Sequence, residues 1–71
     1  MADNIHTEAF AGLARLRELR SAHRDLDQAI DQVAGSPLVD QLRIRRLKKE
    51  RLRIRDLISR LESALIPDLN A

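Results

Sequence analysis

The chain predicts an all-α fold: an antiparallel two-helix hairpin of coiled-coil type that dimerises into a four-helix bundle. Three observations carry that expectation. The composition is 44% hydrophobic and 34% charged with Phe10 as its single aromatic residue, which suits long amphipathic helices and not sheets, whose pleated surfaces favour Val, Tyr, Phe and Thr. Apolar residues recur at steps of three and four along two long stretches, the period of one helical face. Between the stretches stands Gly35-Ser36-Pro37, which reads as a helix stop followed by a helix start.

The first helix spans about residues 7–34. Asn4 or Thr7 is able to cap its N-terminus, and Leu16, Leu19, His23, Leu26, Ile30 and Val33 form its seam. Gly35 suits the left-handed residue after a helix end, Ser36 an N-cap, and Pro37 a first helical position, where a missing N–H costs nothing. This leaves a turn at residues 35–36. The second helix spans about residues 37–65 on a seam of Ile44, Leu47, Arg51, Ile54, Ile58, Leu61 and Leu65, and Pro67 opposes its continuation. Arms of roughly 42 Å joined by so short a turn fold back on each other. The heptad step predicts a left-handed supercoil with a crossing angle of about +20°. Folding at Gly35 places Ile30 beside Leu42, Leu26 beside Leu47, Leu19 beside Ile54, and Leu16 beside Leu57 or Ile58. Residues 1–71 make one domain.

The chain is too small to hold a large core, and with no cysteine it lacks disulfides to support one. Metal is not expected, because His6 and His23 lie too far apart on one helix to share an ion. No cofactor motif is present. Support is therefore expected from association. Phe10, Leu13, Leu38, Leu42 and Leu52 fall off the two seams and are the candidate oligomer interface, or a surface for a protein partner.

Charge divides by arm. Residues 1–36 carry four Arg against six acidic residues, and residues 37–71 carry nine Lys or Arg against five. Asp27 and Asp31 are expected to face the basic run that starts at Arg43, and Asp56 to lie near Arg17 and Arg20. With the seam turned inward, Arg45, Arg46, Lys49, Arg53 and Arg60 cover the outside and one flank of the second helix. Lys48 and Arg55 occupy the other flank. These seven cations are the candidate surface for a partner or for nucleic-acid phosphates. No aromatic platform or helix-turn-helix spacing accompanies them, and the net charge is only +2, so nucleic acid is the alternative reading and protein association the first.

His23 with Asp27 at i+4 has the spacing of an oriented imidazole, yet no nucleophile, second base or glycine loop accompanies it. His23, Asp27 and Arg51 are instead expected to form a polar layer that sets hairpin register. No stretch reaches the roughly 20 apolar residues of a membrane span, and the N-terminus lacks signal-peptide features. The expectation is a soluble, cytoplasmic, non-enzymatic protein.

His23-Arg24-Asp25-Leu26-Asp27-Gln28-Ala29-Ile30, followed by Leu47-Lys48-Lys49-Glu50-Arg51-Leu52-Arg53-Ile54-Arg55-Asp56-Leu57-Ile58, resembles the YdcH-like family of small bacterial proteins. The matching positions are His23, Leu26, Asp27 and Ile30 on the first helix and Leu47, Lys48, Lys49, Leu52, Arg55, Asp56 and Ile58 on the second. Arg51, Arg53 and Ile54 fit its basic or apolar positions. The resemblance covers about residues 19–60 and implies an antiparallel helical hairpin of bacterial origin. It implies no activity, since the family is largely uncharacterised.

Overall fold

The computed structural model describes residues 2–36, 38 and 40–65, with side chains from Glu8 onward. It consists of α1 (Ala2–Ala34) and α2 (Gln41–Leu65), packed against each other as a hairpin. The extents of 57 × 25 × 14 Å are those of two helices side by side, leaving two broad faces.

Leu16, Leu19, Ile30, Ile44 and Ile54 are buried between the helices, while Leu26, Val33, Leu47, Ile58, Leu61 and Leu65 on the same seams are half-buried. Two helices touch along one line, so the seam is shielded on one side only. Even Leu16, the most enclosed of these side chains, keeps 4% of its surface exposed.

The connection differs from the expectation. α2 starts at Gln41, not near residue 37, because Asp40 and not Ser36 caps it. The Arg43 N–H donates to Asp40 Oδ1 at 3.0 Å, and the Ile44 N–H donates to the Asp40 carbonyl at 3.0 Å. A carboxylate there also favours the positive end of the helix dipole. Ser36 Oγ accepts from the Leu38 N–H at 3.3 Å, a local turn with no helix following it. Gly35 does not take the left-handed conformation either. Its N–H donates to the Asp31 carbonyl and that of Ser36 to the Val33 carbonyl, so α1 ends by tightening, and no described residue has positive φ. The expected roles of Pro37 and Pro67 lie outside the described residues. At the other end α1 begins at Ala2 and runs through Asn4 and Thr7, since neither residue forbids helix.

The longer connection changes the register. Arg51 Nη1 donates to Asp27 Oδ1 at 2.8 Å, a Cβ on Gly12 would meet Leu65 Cδ2 at 2.8 Å, and Leu19 shares a cleft with Leu57 and Leu61. In the expected register Asp27 would face Arg46, Gly12 would face Leu61, and Leu19 would face Ile54. The four pairings expected from folding at Gly35 are thus displaced by about one helical turn, because reversal occurs nearer Leu38.

Gly12 being level with Leu65, residues 2–11 of α1 extend past the described end of α2. This arm is roughly 15 Å long at 1.5 Å per residue.

Candidate functional site

The seam that buries Ile44 and Ile54 directs the basic residues of α2 outward on either side. On one broad face, an open groove of about 820 Å³ runs between the helices. Two ion pairs cross its floor. Asp27 takes Arg51 through Oδ1 at 2.8 Å, with His23 Nδ1 at 3.4 Å from its Oδ2, and Arg20 Nη2 donates to Glu62 Oε2 at 3.0 Å. His23, Asp27 and Arg51 are therefore brought together, half-exposed at the edge of the seam and not within it. A charge-assisted contact so open to water sets alignment more than it stabilises.

Lys48, Leu52 and Arg55 form the α2 wall of this groove. Neither cation is ion-paired with a described residue, and Leu52 is 66% exposed. Arg20 also lines a shallow depression with Leu13, Arg17 and Arg24, so Leu13 and Leu52 lie on the same face. The opposite face carries a small apolar cleft formed by Leu19, Leu57, Leu61 and Ala64 between Arg15 and Arg60. The helical period puts Leu42, Arg46, Lys49 and Arg53 on the side of α2 that Arg60 occupies.

The seven candidate cations are all exposed, but two are engaged. Arg53 makes two bonds to Glu50, at 3.0 and 2.7 Å, and Arg60 Nε is 3.1 Å from Asp56. The hydrogen bond from Arg53 holds the Glu50 carboxyl below the ordinary glutamate range, and that bond raises the pKa of Arg53. Arg45, Arg46, Lys48, Lys49 and Arg55 have no acidic partner among the described residues. Asp56 does not meet Arg17 or Arg20 as expected, because the one-turn register shift gives Arg20 to Glu62 and leaves Asp56 to Arg60 on its own helix.

The five candidate interface residues stand out of the hairpin: Phe10, Leu13, Leu38, Leu42 and Leu52 are its exposed large apolar side chains among the described residues. Sequence reasoning missed the Asp40 cap and the Arg20–Glu62 strut. Asp is as good a cap as Ser, so Asp40 ahead of the uninterrupted run from Gln41 was a usable signal. The strut depends on register and had no such signal.

Among the described residues no three His, Cys, Asp or Glu side chains gather as metal ligands, and no helix is long and apolar enough to cross a membrane. Fold and surface define the class as an all-helical hairpin with a basic second arm. A family model described as "Protein of unknown function (DUF465)" matches residues 16–62. The chain belongs to this family, with which the YdcH-like resemblance is consistent. No curated protein and no solved structure matches the chain.

Proposed function

We propose that this chain is a non-enzymatic helical-hairpin module of the cytoplasm that self-associates, as a dimer, and works as an adaptor through protein contacts. The observation that carries the reading is the imbalance of its apolar residues. Five side chains are buried between the helices, while another five large ones, from Phe10 to Leu52, face water. A two-helix unit with so thin a core gains stability by covering such residues. The absence of cysteine suits a reducing compartment. Sedimentation equilibrium over a wide range of concentration tests self-association: the expected mass rises from one chain to two. A mass of one chain at every concentration rules the reading out.

A second reading rests on Arg45, Arg46, Lys48, Lys49 and Arg55, which lack acidic partners among the described residues. Such cations suit nucleic-acid phosphates, with affinity that falls steeply as salt rises. Titration of duplex DNA and of RNA at two salt concentrations tests it. No binding at low salt, or binding indifferent to salt, excludes it.

A further inference from the structure

We infer that the groove between α1 and α2 is a docking site for an acidic amphipathic helix of a partner protein, which lies along it as a third helix. This rests on the adaptor part of the reading above and names the chemistry of the partner.

Charge selects the occupant. Arg20, Lys48, Arg51 and Arg55 line the groove, and Arg17 and Arg24 stand with Arg20 on the depression beside it. These are six of the chain's thirteen Lys and Arg, whereas of its eleven Asp and Glu only Asp27 and Glu62 line the same face, with Asp31 next on the α1 row toward the turn. The remaining charges nearly balance, so the cationic character of the chain is concentrated here. Asp27 holds Arg51, and Glu62 holds Arg20. Arg17, Arg24, Lys48 and Arg55 are exposed and have no acidic partner among the described residues. An occupant that brings carboxylates to these four answers the face. Two copies joined groove to groove set the same cations against one another, so an acidic segment outcompetes a second copy for it.

Shape and apolar content make that occupant a helix. The molecule is one helix thick, 14 Å in its least extent, which leaves the seam open along the broad face. On the α2 wall of the groove Ile58 is half-buried and Leu52 is exposed. The cations recur at steps of three and four on both helices, from Arg17 to Arg24 and from Lys48 to Arg55. With Arg51 opposite Asp27, the α2 row runs from the level of Ile30 to that of His23. The two rows therefore succeed each other over about 20 Å, close to four turns of helix. A helix laid there sets a narrow apolar stripe on Leu52 and Ile58, as amphipathic helices do in hydrophobic grooves. Its Asp or Glu side chains meet the α1 row along one half and the α2 row along the other. A phosphodiester chain gains nothing from the apolar wall and meets Asp27 and Glu62 on the floor, so an acidic protein segment is the better match.

The test uses a labelled synthetic peptide of about 16 residues, enough for four turns, with Leu at steps of three and four and Glu on both flanks. Fluorescence anisotropy follows its titration with the full chain at low and moderate salt. The expected result is saturable binding that weakens as salt rises, no binding when Lys replaces Glu, and much weaker binding when the same composition is scrambled. Lys48→Glu with Arg55→Glu is expected to raise Kd at least about tenfold, and Leu52→Asp to do the same. Arg46→Glu with Lys49→Glu makes the same change in net charge on the other side of α2 and is expected to leave Kd within about twofold. Circular dichroism of each variant confirms the helical hairpin. Failure of the Glu peptide to bind at low salt, equal binding of the scrambled peptide, or equal losses from the two double variants overturns the docking site. Duplex DNA or RNA that binds more tightly than the peptide and depends equally on Lys48 and Arg55 overturns it too, giving the face to nucleic acid. A chain that stays at one copy in mass yet binds the peptide removes self-association and keeps the docking site; a dimer that ignores the peptide does the reverse.

Discussion

Replacing Leu19 and Leu52 by alanine removes the same atoms from two environments. Leu19 is 5% exposed on the seam of α1, and Leu52 is 66% exposed on the outside of α2. The change deletes three carbons, worth roughly 2.4 kcal/mol at about 0.8 kcal/mol per buried carbon. At position 19 nearly all of that transfer energy is lost and a cavity is added, giving about 2.5 to 4 kcal/mol. At position 52 only about a third of the side chain is covered by its own hairpin, so the loss is about 0.8 kcal/mol, reduced slightly by the better helix propensity of alanine. A domain of 71 residues has a total stability of about 4 to 10 kcal/mol at the usual 0.05 to 0.15 kcal/mol per residue. Leu19→Ala therefore removes a large share of it and Leu52→Ala little. Urea unfolding followed by circular dichroism, over a wide range of protein concentration, measures both. At low concentration the two costs should differ by at least about 1.5 kcal/mol; under the proposed self-association the Leu52 cost should grow at high concentration, because unfolding then also separates the copies. Equal costs at low concentration, or a Leu19→Ala cost under about 1 kcal/mol, refute the assignment of the seam.

The Asp40 cap implies that Asp40→Ala lowers stability by about 1 kcal/mol while Asp40→Asn preserves it, and that Ser36→Ala has the smaller effect; thermal melts separate the three. A double-mutant cycle on Asp27 and Arg51 should give a coupling of about 0.5 to 1 kcal/mol that shrinks with added salt, and His23→Leu should keep the hairpin folded with an equal or higher Tm. Glu50 titrates below the ordinary glutamate range because Arg53 bonds its charged form. The Glu50–Arg53 pair therefore supports α2 above that range and loses its effect as pH falls through the lowered value; an NMR titration of the carboxyl, repeated in Arg53→Gln, should show the inflection moving up. Gly12→Ala meets only the flexible end of Leu65, so it should gain up to about 1 kcal/mol of helix propensity, whereas Gly12→Phe should destabilise by prising Leu65 off the seam.

Composition and periodicity revealed most of the fold, because a helix pattern repeats itself and survives local error. Leu16, Leu19, Ile30, Ile44 and Ile54 lie on the expected seams and are the side chains that become buried. The turn was harder to read, since several residues there compete for one role. Ser36 and Asp40 are both competent caps, and the Asp40 bonds to Arg43 and Ile44 decide between them. That local choice propagates: reversing nearer Leu38 slides α2 by a turn, so Asp56 loses Arg20 and Glu62 gains it. Register in a hairpin accumulates along the chain from its turn, and no amount of seam regularity restores it. The grouping of Asp27 with Arg51 was legible in spite of this, because His23 and Asp27 stand one turn apart on α1, so a slip of one turn moves Arg51 from the level of the first to that of the second. The exposed leucines were read as one candidate surface, whereas Leu52 borders the groove and the helical period sets Leu42 on the other side of α2. What was not read was which cations would be free. A signal for two of them was present but unused in the count of charges: Arg53 and Arg60 each have an acidic residue one turn earlier, Glu50 and Asp56, that holds it.

The basic run of α2 divides between the two sides of the helix. Its cations on the groove side, Lys48 and Arg55, border Leu52. On the other side Arg53 and Arg60 are tied down by Glu50 and Asp56, leaving Arg46 and Lys49 beside the exposed Leu42, with Arg45 on the outer edge. The run therefore displays two separate basic and apolar patches, one about Leu52 and one about Leu42, instead of one continuous cationic strip. Two separated patches suit bridging between partner molecules better than tracking along a single phosphate backbone. It is this division, and not the number of arginines, on which we rest the proposal of protein association over nucleic-acid binding.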